Sequence, residues 1–508
     1  MAGEFLRSHG IDIDAEMSRI QQGGSMDTTP KAPAHVHGTT LSSPNVDRIT
    51  NASLPNTPPG TRWDVKLTAD HIASTTVHQA SSSSADSTNR ERDERTRINA
   101  HGALLAPSFC HPHVHLDKAY LLSHPKYAHL QIQRGDFAEA MELTGQAKAM
   151  FEHADLIERG QRLIDESVAA GVTHMRAFVE VDAGVGLKCL EAGVQLKKSA
   201  AAAGGDGGRC HVQLCVFAQL PLFSPSQDDA EGEVIRGLME QAAGMDEVDC
   251  VGSTPYVEAE RGLMEKNVEW MVGLSARRRL HLDFHLDYNL DPNIEPLVWH
   301  VISALKQQDW HEATQQRQRT VVLGHCTRLT LWPDAEWRRL KDSIGDLPIS
   351  FVGLPTSDLF MMRTPDRTRG TLDVPRLIKE YGLNACMGIN NIGNAFTPHG
   401  SCDPLTLAGS GVGVYSAGTQ RDAEVLYECV SSRAREAIGL GRRRVDESAD
   451  GEVRGEVGLQ VRGGIARDLV LFGAEGEGWR TRKSVAEAVY LYDHCRGRRA
   501  FVGGRMTA

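Results

Sequence analysis

No stretch of the 508-residue chain offers the ~18 consecutive apolar residues that a membrane-spanning helix needs. The first residues, MAGEFLRSHGIDIDAEM, mix charges and lack an apolar h-region, so they do not read as a secretory signal. Ten cysteines are scattered along the chain and none falls in a C-x-x-C pair. Free thiols in a reducing, cytoplasmic setting are therefore expected. Positive charge is not in excess. Lys plus Arg number 55 against 66 Asp plus Glu, a net charge of −11, which gives no electrostatic footprint for nucleic acid or an anionic membrane. No G-x-G-x-x-G follows the first long strand, which argues against a dinucleotide-binding open sheet, and HEATQQ at 311–316 lacks the second histidine of H-E-x-x-H. Gly and Pro, at 49 and 21, are too few for a collagen-like or wholly disordered chain.

What remains is ordinary globular composition, 41% hydrophobic and 24% charged, in a chain long enough for an α/β barrel with an accessory domain. Residues 1–60 are polar and without period (TTPKAPAH, SLPNTPPGT) and read as a disordered tail. WDVKLT at 63–68 and IASTTVH at 72–78 read as short strands, and SSSSADSTNRERDERTR as a solvated insertion. INAHGALLAPSF reads as a strand pair turning at His101–Gly102. Eight strand-like runs then alternate with helical patterns: ALLAPSFC, VTHMRAFVEV, HVQLCVFAQ, DCVGST, LHLDFHL, TVVLGH, PISFVGLP and LNACMGIN. Between them, IERGQRLIDESVAAG and RGLMEKNVEWMVGLSARR show the 3.6-residue period. Eight βα units predict a (β/α)8 TIM barrel over 106–440. The glycine-rich GSGVGVYSAG at 409–418 reads as a loop, 441–458 as a charged linker, and 459–508 as a return to strand character, SVAEAVYLYDH included.

The chemistry concentrates at the strand ends. His113 and His115 close the first barrel strand, and the two-residue period of a strand puts both imidazoles on one face. His285 ends LHLDFHL, His325 ends TVVLGH, and Asn390 ends LNACMGIN. Barrel chemistry sits at the carboxyl ends of the strands. Imidazoles converging there suit one divalent metal ion, Zn²⁺ or Fe²⁺, with a position open for water.

These residues carry a resemblance. PSFCHPHVHLDK, the VTHMRAFVEVD segment, HVQLCVFAQ, LDFHLDYNLDP, VVLGHCT, LPTSDLFM and MGINNIGNAFTPHGSCDPL resemble, in this order, the strand-end blocks of the amidohydrolase superfamily. They are most similar to its cytosine-deaminase-like branch, which includes amidohydrolases of s-triazines. The likeness spans about residues 61–508. It implies a small β-sandwich built from both chain ends, 61–105 and 459–508, around the barrel. It also implies a hydrolase of non-peptide C–N bonds acting through a metal-bound hydroxide. His113, His115 and His285 would be metal ligands, His325 would hydrogen-bond the hydroxide, and Gln219 would hold an amide- or urea-like edge of the substrate.

Two positions depart from the family pattern. Asn390 stands where the family has a metal-binding, proton-accepting aspartate, and an Asn carbonyl can touch a metal but accepts protons poorly. Tyr288 stands where a proton-shuttling glutamate is usual, and is expected to face the substrate instead. Asp283, Asp287, Asp358 and Asp403 are candidates to take over proton transfer, with Asp287 favoured because it lies two residues past His285. Phe178, in place of a histidine common in relatives, makes one wall apolar. Lys118 and Asp117 read as an internal ion pair or as groups at the pocket. Arg176 reads as substrate-facing or structural, and Cys326 and Cys402 as packing residues. The expected partner is a small molecule, with no nucleic acid and no membrane, and homo-oligomerisation is left open. The alternative is a catalytically silent relative that kept the barrel and lost the chemistry along with the two acid/base groups.

Overall fold

A computed structural model describes residues 46–68, 72–79, 97–202, 208–223, 230–315, 318–440, 459, 461, 468–473, 478–492, 497–502 and 505–507. The expected linker at 441–458, all but the last residue of the insertion expected at 81–97, and the tail up to residue 45 lie outside the described residues.

The chain begins with strands β1 (Arg48–Ala52), β2 (Trp63–Leu67), β3 (Ile72–Val77) and β4 (Arg97–Asn99), which form one four-stranded sheet in the order β3-β2-β1-β4. The tail assigned to 1–60 therefore ends too late. Thr50, Ile49 and Ala52 are buried in β1, and β1 pairs with both β2 and β4. The polar letters of RITNA showed no alternation, and a register irregularity between Ile49 and Ala52 lets both, three residues apart, enter one core. Next comes β5 (Leu105–Pro107). It does not pair with β4 as a hairpin but enters a different sheet.

The barrel follows as β6 (Phe109–His115), β7 (Val172–Glu180), β8 (His211–Ala218), β9 (Val248–Ser253), β10 (His281–Leu286), β11 (Val321–His325), β12 (Ile349–Gly353) and β13 (Ala385–Met387). These eight are neighbours in sequence order and all parallel. The ring closes just past β13: His115 N–H donates to the Asn390 carbonyl at 2.8 Å, and Asn390 N–H to the His113 carbonyl at 3.1 Å. The fold is a (β/α)8 TIM barrel, as the eight sequence runs predicted. Helices between the strands bury one stripe. In His153–Ala169 the buried Leu156, Leu163, Ile164 and Val168 recur at helical spacing, and a capping box between Glu152 and Asp155 starts the helix.

Two stretches differ from expectation. Residues 409–418, read as a loop, belong largely to the helix Leu405–Val414, in which the closely packed Gly411 has Leu426 and Tyr415 as neighbours. Val485–Tyr490, read as strand, is a helix whose N-cap Ser484 accepts from Glu487 N–H. In both cases a short apolar run carried no usable period, and packing decided.

The chain ends with β14 (Leu469–Phe472), β15 (Arg498–Val502) and β16 (Arg505–Met506), which join β5 in a second four-stranded sheet. Leu469 and Leu471 face a core shared with Ile49, Val65 and Leu67 of the first sheet, while Val470 and Phe472 face the barrel core. The two-residue period of β14 thus ties the small two-sheet unit to the barrel. Because Ile49 is fully buried there, Ile49→Ala is expected to cost about 2–5 kcal/mol of stability. The shift in a urea unfolding curve measures it, and an unchanged midpoint would show that β1 adds nothing to the core.

Candidate metal centre and its pocket

The centre is built where the barrel closes. Pro112 interrupts β6, and the register against β7 slips between His111 and Val114, as a missing donor in a strand demands. Beyond the slip, His113 and His115 point to one side. Their neighbours make room: a Cβ on Gly324 would sit 3.0 Å from His113 Cε1, and one on Gly388 would sit 3.1 Å from the His113 carbonyl oxygen. Phe178 packs on the three rings, its centroid 4.3 Å from that of His113, 5.0 Å from His115 and 5.2 Å from His285.

His285 Nε2 lies 3.1 Å from His113 Nε2 and 3.0 Å from His115 Nε2. Burial, and then the charges of neighbouring groups, hold all three imidazoles well below their usual pKa, so they are neutral at neutral pH. Three neutral rings cannot satisfy one another through facing Nε2 atoms, since each such contact needs one proton and one lone pair. A cation at their centre resolves the conflict. A tetrahedron with ~2.05 Å metal–nitrogen bonds has edges of about 3.3 Å, close to these separations. Among the described residues these three form the group of His, Cys, Asp or Glu side chains able to hold an ion. Asn390 offers a fourth donor atom, an oxygen. Its Nδ2 donates to Ser357 Oγ at 3.0 Å, and its buried Oδ1, beside His113, makes no well-aligned hydrogen bond. The donor set fits a divalent ion.

His325 stands next to this group, its ring centroid 5.1 Å from that of His285 and 6.0 Å from that of His113. Its Nδ1 bonds Asp358 Oδ1 at 2.7 Å, which places the proton on Nδ1 and leaves Nε2 as an acceptor. Asp358 is itself held by Leu354 N–H at 3.2 Å and the Thr371 hydroxyl at 2.9 Å, both on Oδ2. Tyr288 lies over the other side of His325 with ring centroids 3.9 Å apart. Burial and the nearby Asp358 push the Tyr288 hydroxyl well above its usual pKa, so it stays protonated.

A pocket over the histidines is lined by Gln219, Tyr288, Asn390 and Lys118, together with Phe137, Tyr256, Asn391 and Phe396. Its volume is about 20 Å³, room for a water molecule. Phe137, Tyr256, Tyr288 and Phe396 belong to one apolar cluster that roofs it. Lys118 is no remote ion pair. It is buried, bonds Glu180 Oε2 at 3.0 Å and donates to Gln219 Oε1 at 3.4 Å. Glu180 is held in turn by Lys148 at 2.5 Å, and Lys148 also by Asp182. Asp117 accepts from Glu180 N–H at 2.8 Å.

The favoured proton carrier is corrected. Asp287 Oδ1 accepts from Leu297 N–H at 2.7 Å and Oδ2 from Val298 N–H at 3.2 Å. Both oxygens therefore anchor the start of the helix Val298–Gln307, and Asp287 does not line the pocket. Asp403 pairs with Arg498 at 2.5 Å, and Asp283 with Arg176 at 2.9 Å, so neither faces the pocket. Arg176 takes the structural role. Cys326 and Cys402 are buried, with thiols pushed up in pKa by burial, that of Cys402 to about 11, and neither acts as a nucleophile. Sequence reasoning missed Ser357 as the anchor of Asn390 and Lys148 as the second partner of Glu180. LPTSDLFM held Ser357 in view, whereas nothing in the sequence signalled Phe137 or Tyr256. Backbone strain was also invisible: Asp287, His325, Cys326 and Asn390 all have φ between 48° and 68°, an arrangement that concentrates at functional sites.

No family model matches the chain. No curated protein matches it either. Among solved structures, the 5-methylcytosine deaminase of Klebsiella pneumoniae, liganded with 5-fluorocytosine, superposes with a TM-score of 0.70 at 21% identity, over 90% of this chain and 96% of that one. The chain shares that protein's fold. The N-isopropylammelide isopropylaminohydrolase of Burkholderia multivorans gives 0.63 at 20% identity, over 90% and 97%. An adenosine deaminase of Xanthomonas campestris with bound zinc gives 0.56 at 13%, over 91% and 93%. Among the described residues no helix is long and apolar enough to cross a membrane.

Proposed function

We propose that this chain belongs to the cytosine-deaminase-like branch of the amidohydrolases and is a metal-dependent hydrolase of non-peptide C–N bonds in a small cyclic or amide-like substrate. The observation that carries the reading is the convergence of three neutral imidazole Nε2 atoms at the carboxyl end of the barrel, with the His325–Asp358 pair beside them. A divalent ion, Zn²⁺ or Fe²⁺, held by His113, His115, His285 and the Asn390 carbonyl would supply a water acidified to a pKa of about 7 and polarise the carbon to be attacked. The solved deaminases and aminohydrolases of the same fold support this class of reaction.

This chain's residues do the rest. Gln219 Oε1 is fixed by Lys118, which leaves its amide N–H₂ to hold a carbonyl or ring-nitrogen edge. His325 Nε2 accepts a proton from the attacking water, and Asp358 stabilises the imidazolium that results. The same proton returns to the leaving nitrogen. The pocket as it stands holds about 20 Å³, so the aromatic roof has to shift to admit a ring and excludes bulk water once closed over it. The alternative of a silent relative has no observation in its favour, because an intact and organised histidine set surrounds Asn390 and Tyr288.

The test is metal analysis of chelator-free protein together with an ammonia- and amine-release panel of ring amides, amidines and substituted triazines. About one equivalent of metal and turnover of a panel member support the reading, and absence of both overturns it. Within the panel, cytosine turnover is expected to be negligible. With neither Glu at 288 nor Asp at 390, two proton-transfer groups are missing, and the loss of each typically costs ~10²–10⁴-fold. A Tyr288→Glu/Asn390→Asp double variant should release more ammonia from cytosine than the native chain. Robust native turnover of cytosine would show that these two residues do not set the chemistry.

A further inference from the structure

We infer that the substrate of this pocket is an anion: a small cyclic amide or imide that carries a negative charge at neutral pH. The inference rests on the hydrolase reading and names its substrate class. Of the eleven side chains that line the pocket none is a carboxylate, and the single formally charged one is Lys118. Every nearby carboxylate is spent elsewhere. Glu180 lies behind Lys118 and is shared with Lys148. Asp358 is turned to His325, Leu354 and Thr371. Asp283 gives Oδ2 to Arg176 and holds Oδ1 3.8 Å from His113 Nδ1, outside the lining, and Asp287 faces the backbone of Leu297 and Val298.

Lys118 has three protons to give. Glu180 and Gln219 take two, and Lys118 also reaches the pocket. Asn391 adds an amide whose Oδ1 is taken by Asn394 Nδ2 at 2.7 Å, so that its N–H₂ is the group left to offer. The polar groups free to meet a ligand are therefore mostly donors: Lys118 Nζ and the amides of Gln219 and Asn391, with Tyr288 protonated above. A divalent ion held by three neutral imidazoles and a neutral amide oxygen would, even with its water ionised to hydroxide, keep one positive charge that no side-chain ligand offsets. Charge buried without an opposite charge is strongly disfavoured. The ligand is then the group that supplies the anion.

The experiment compares two ring imides of nearly the same shape on the zinc-loaded full chain by titration calorimetry. Barbiturate is an anion at neutral pH, and uracil is neutral. Barbiturate is expected to bind about tenfold more tightly or better, a difference of ~1.4 kcal/mol or more. Tyr288→Glu, which returns a carboxylate to the lining, should weaken barbiturate about tenfold and change uracil much less. Lys118→Met should act in the same direction. Equal binding of the two imides, tighter binding of uracil, or binding of neither overturns the inference. Failure of the hydrolase reading looks different. Preferential barbiturate binding by a chain that purifies without metal and turns over no panel member sinks that reading alone, and turnover of a neutral amide without anion preference sinks only this one.

Discussion

Replacing His113 with alanine is expected to empty the metal centre. The native chain should purify with about one equivalent of Zn²⁺ or Fe²⁺, and His113→Ala with close to none. The reason is geometric. His113 supplies one of three Nε2 atoms packed 3.0–3.1 Å apart around His285, and no side chain nearby can replace it. Loss of an outer hydrogen-bond partner alone weakens metal binding ~10–100-fold, so loss of a ligand should exceed that range. Chelator competition reads the affinity directly. Thermal unfolding gives an independent measure, because a ligand that binds only the native state raises Tm as its concentration rises. Added Zn²⁺ should raise the native Tm and leave that of His113→Ala unchanged. The fold should survive. The ring packs on Phe178 and against Gly324, and the one carboxylate near it, Asp283 at 3.8 Å from His113 Nδ1, keeps its ion pair with Arg176 when the ring is removed. A variant that still binds one equivalent with native affinity would remove His113 from the ligand set and undo the reading of the site.

The sequence exposed its strand ends well and its carboxylates poorly. His113, His115, His285, His325 and Asn390 could be read because each ends an apolar run, and in a parallel barrel every run must end on the same rim. Closure between His115 and Asn390 follows from that topology. The direction of a side chain is another matter. Asp287 was favoured by its spacing from His285, yet its φ of 48° turns it toward the start of the next helix, where two backbone N–H groups need an acceptor. Nothing in LDFHLDYNLDP announces a left-handed residue, since Asp is one of several that adopt it. Strand β1 was missed for a related reason. RITNA has too few apolar letters to show a period, and its place was decided by its partners, β2 beyond a proline-rich loop and β4 beyond a long insertion. The helix Leu405–Val414 was obscured by its glycines, whose cost in a helix is repaid here by close packing against Leu426 and Tyr415.

The second large effect is expected at Asp358, a residue that touches no metal ligand. Asp358→Asn should lower kcat by about 10²–10⁴-fold on the substrate the release panel identifies, with KM and metal content little changed. Asp358 Oδ1 accepts the Nδ1 proton of His325 at 2.7 Å, and that bond fixes which nitrogen is free to receive a proton. Asparagine is nearly the same shape, but the Leu354 N–H and the Thr371 hydroxyl both donate to the other oxygen. They would hold the amide oxygen on their side and turn its N–H₂ toward His325. Nδ1 must then accept, so the proton moves to Nε2, and the ring presents a donor where an acceptor is needed. Asparagine also removes the negative charge that stabilises the imidazolium. Because the effect acts through His325, a merely structural role for Asp358 would not reproduce its signature. Nitrogen-15 NMR of the His325 ring should show the Nδ1–H tautomer in the native chain and the Nε2–H tautomer in Asp358→Asn, whether or not a substrate is at hand. Thr371→Val, which removes one donor from Asp358 and leaves its charge, should lower kcat far less and keep the native tautomer. If Asp358→Asn instead retained native kcat and tautomer, His325 would not depend on Asp358, and proton transfer would have to be assigned to a group outside this pair.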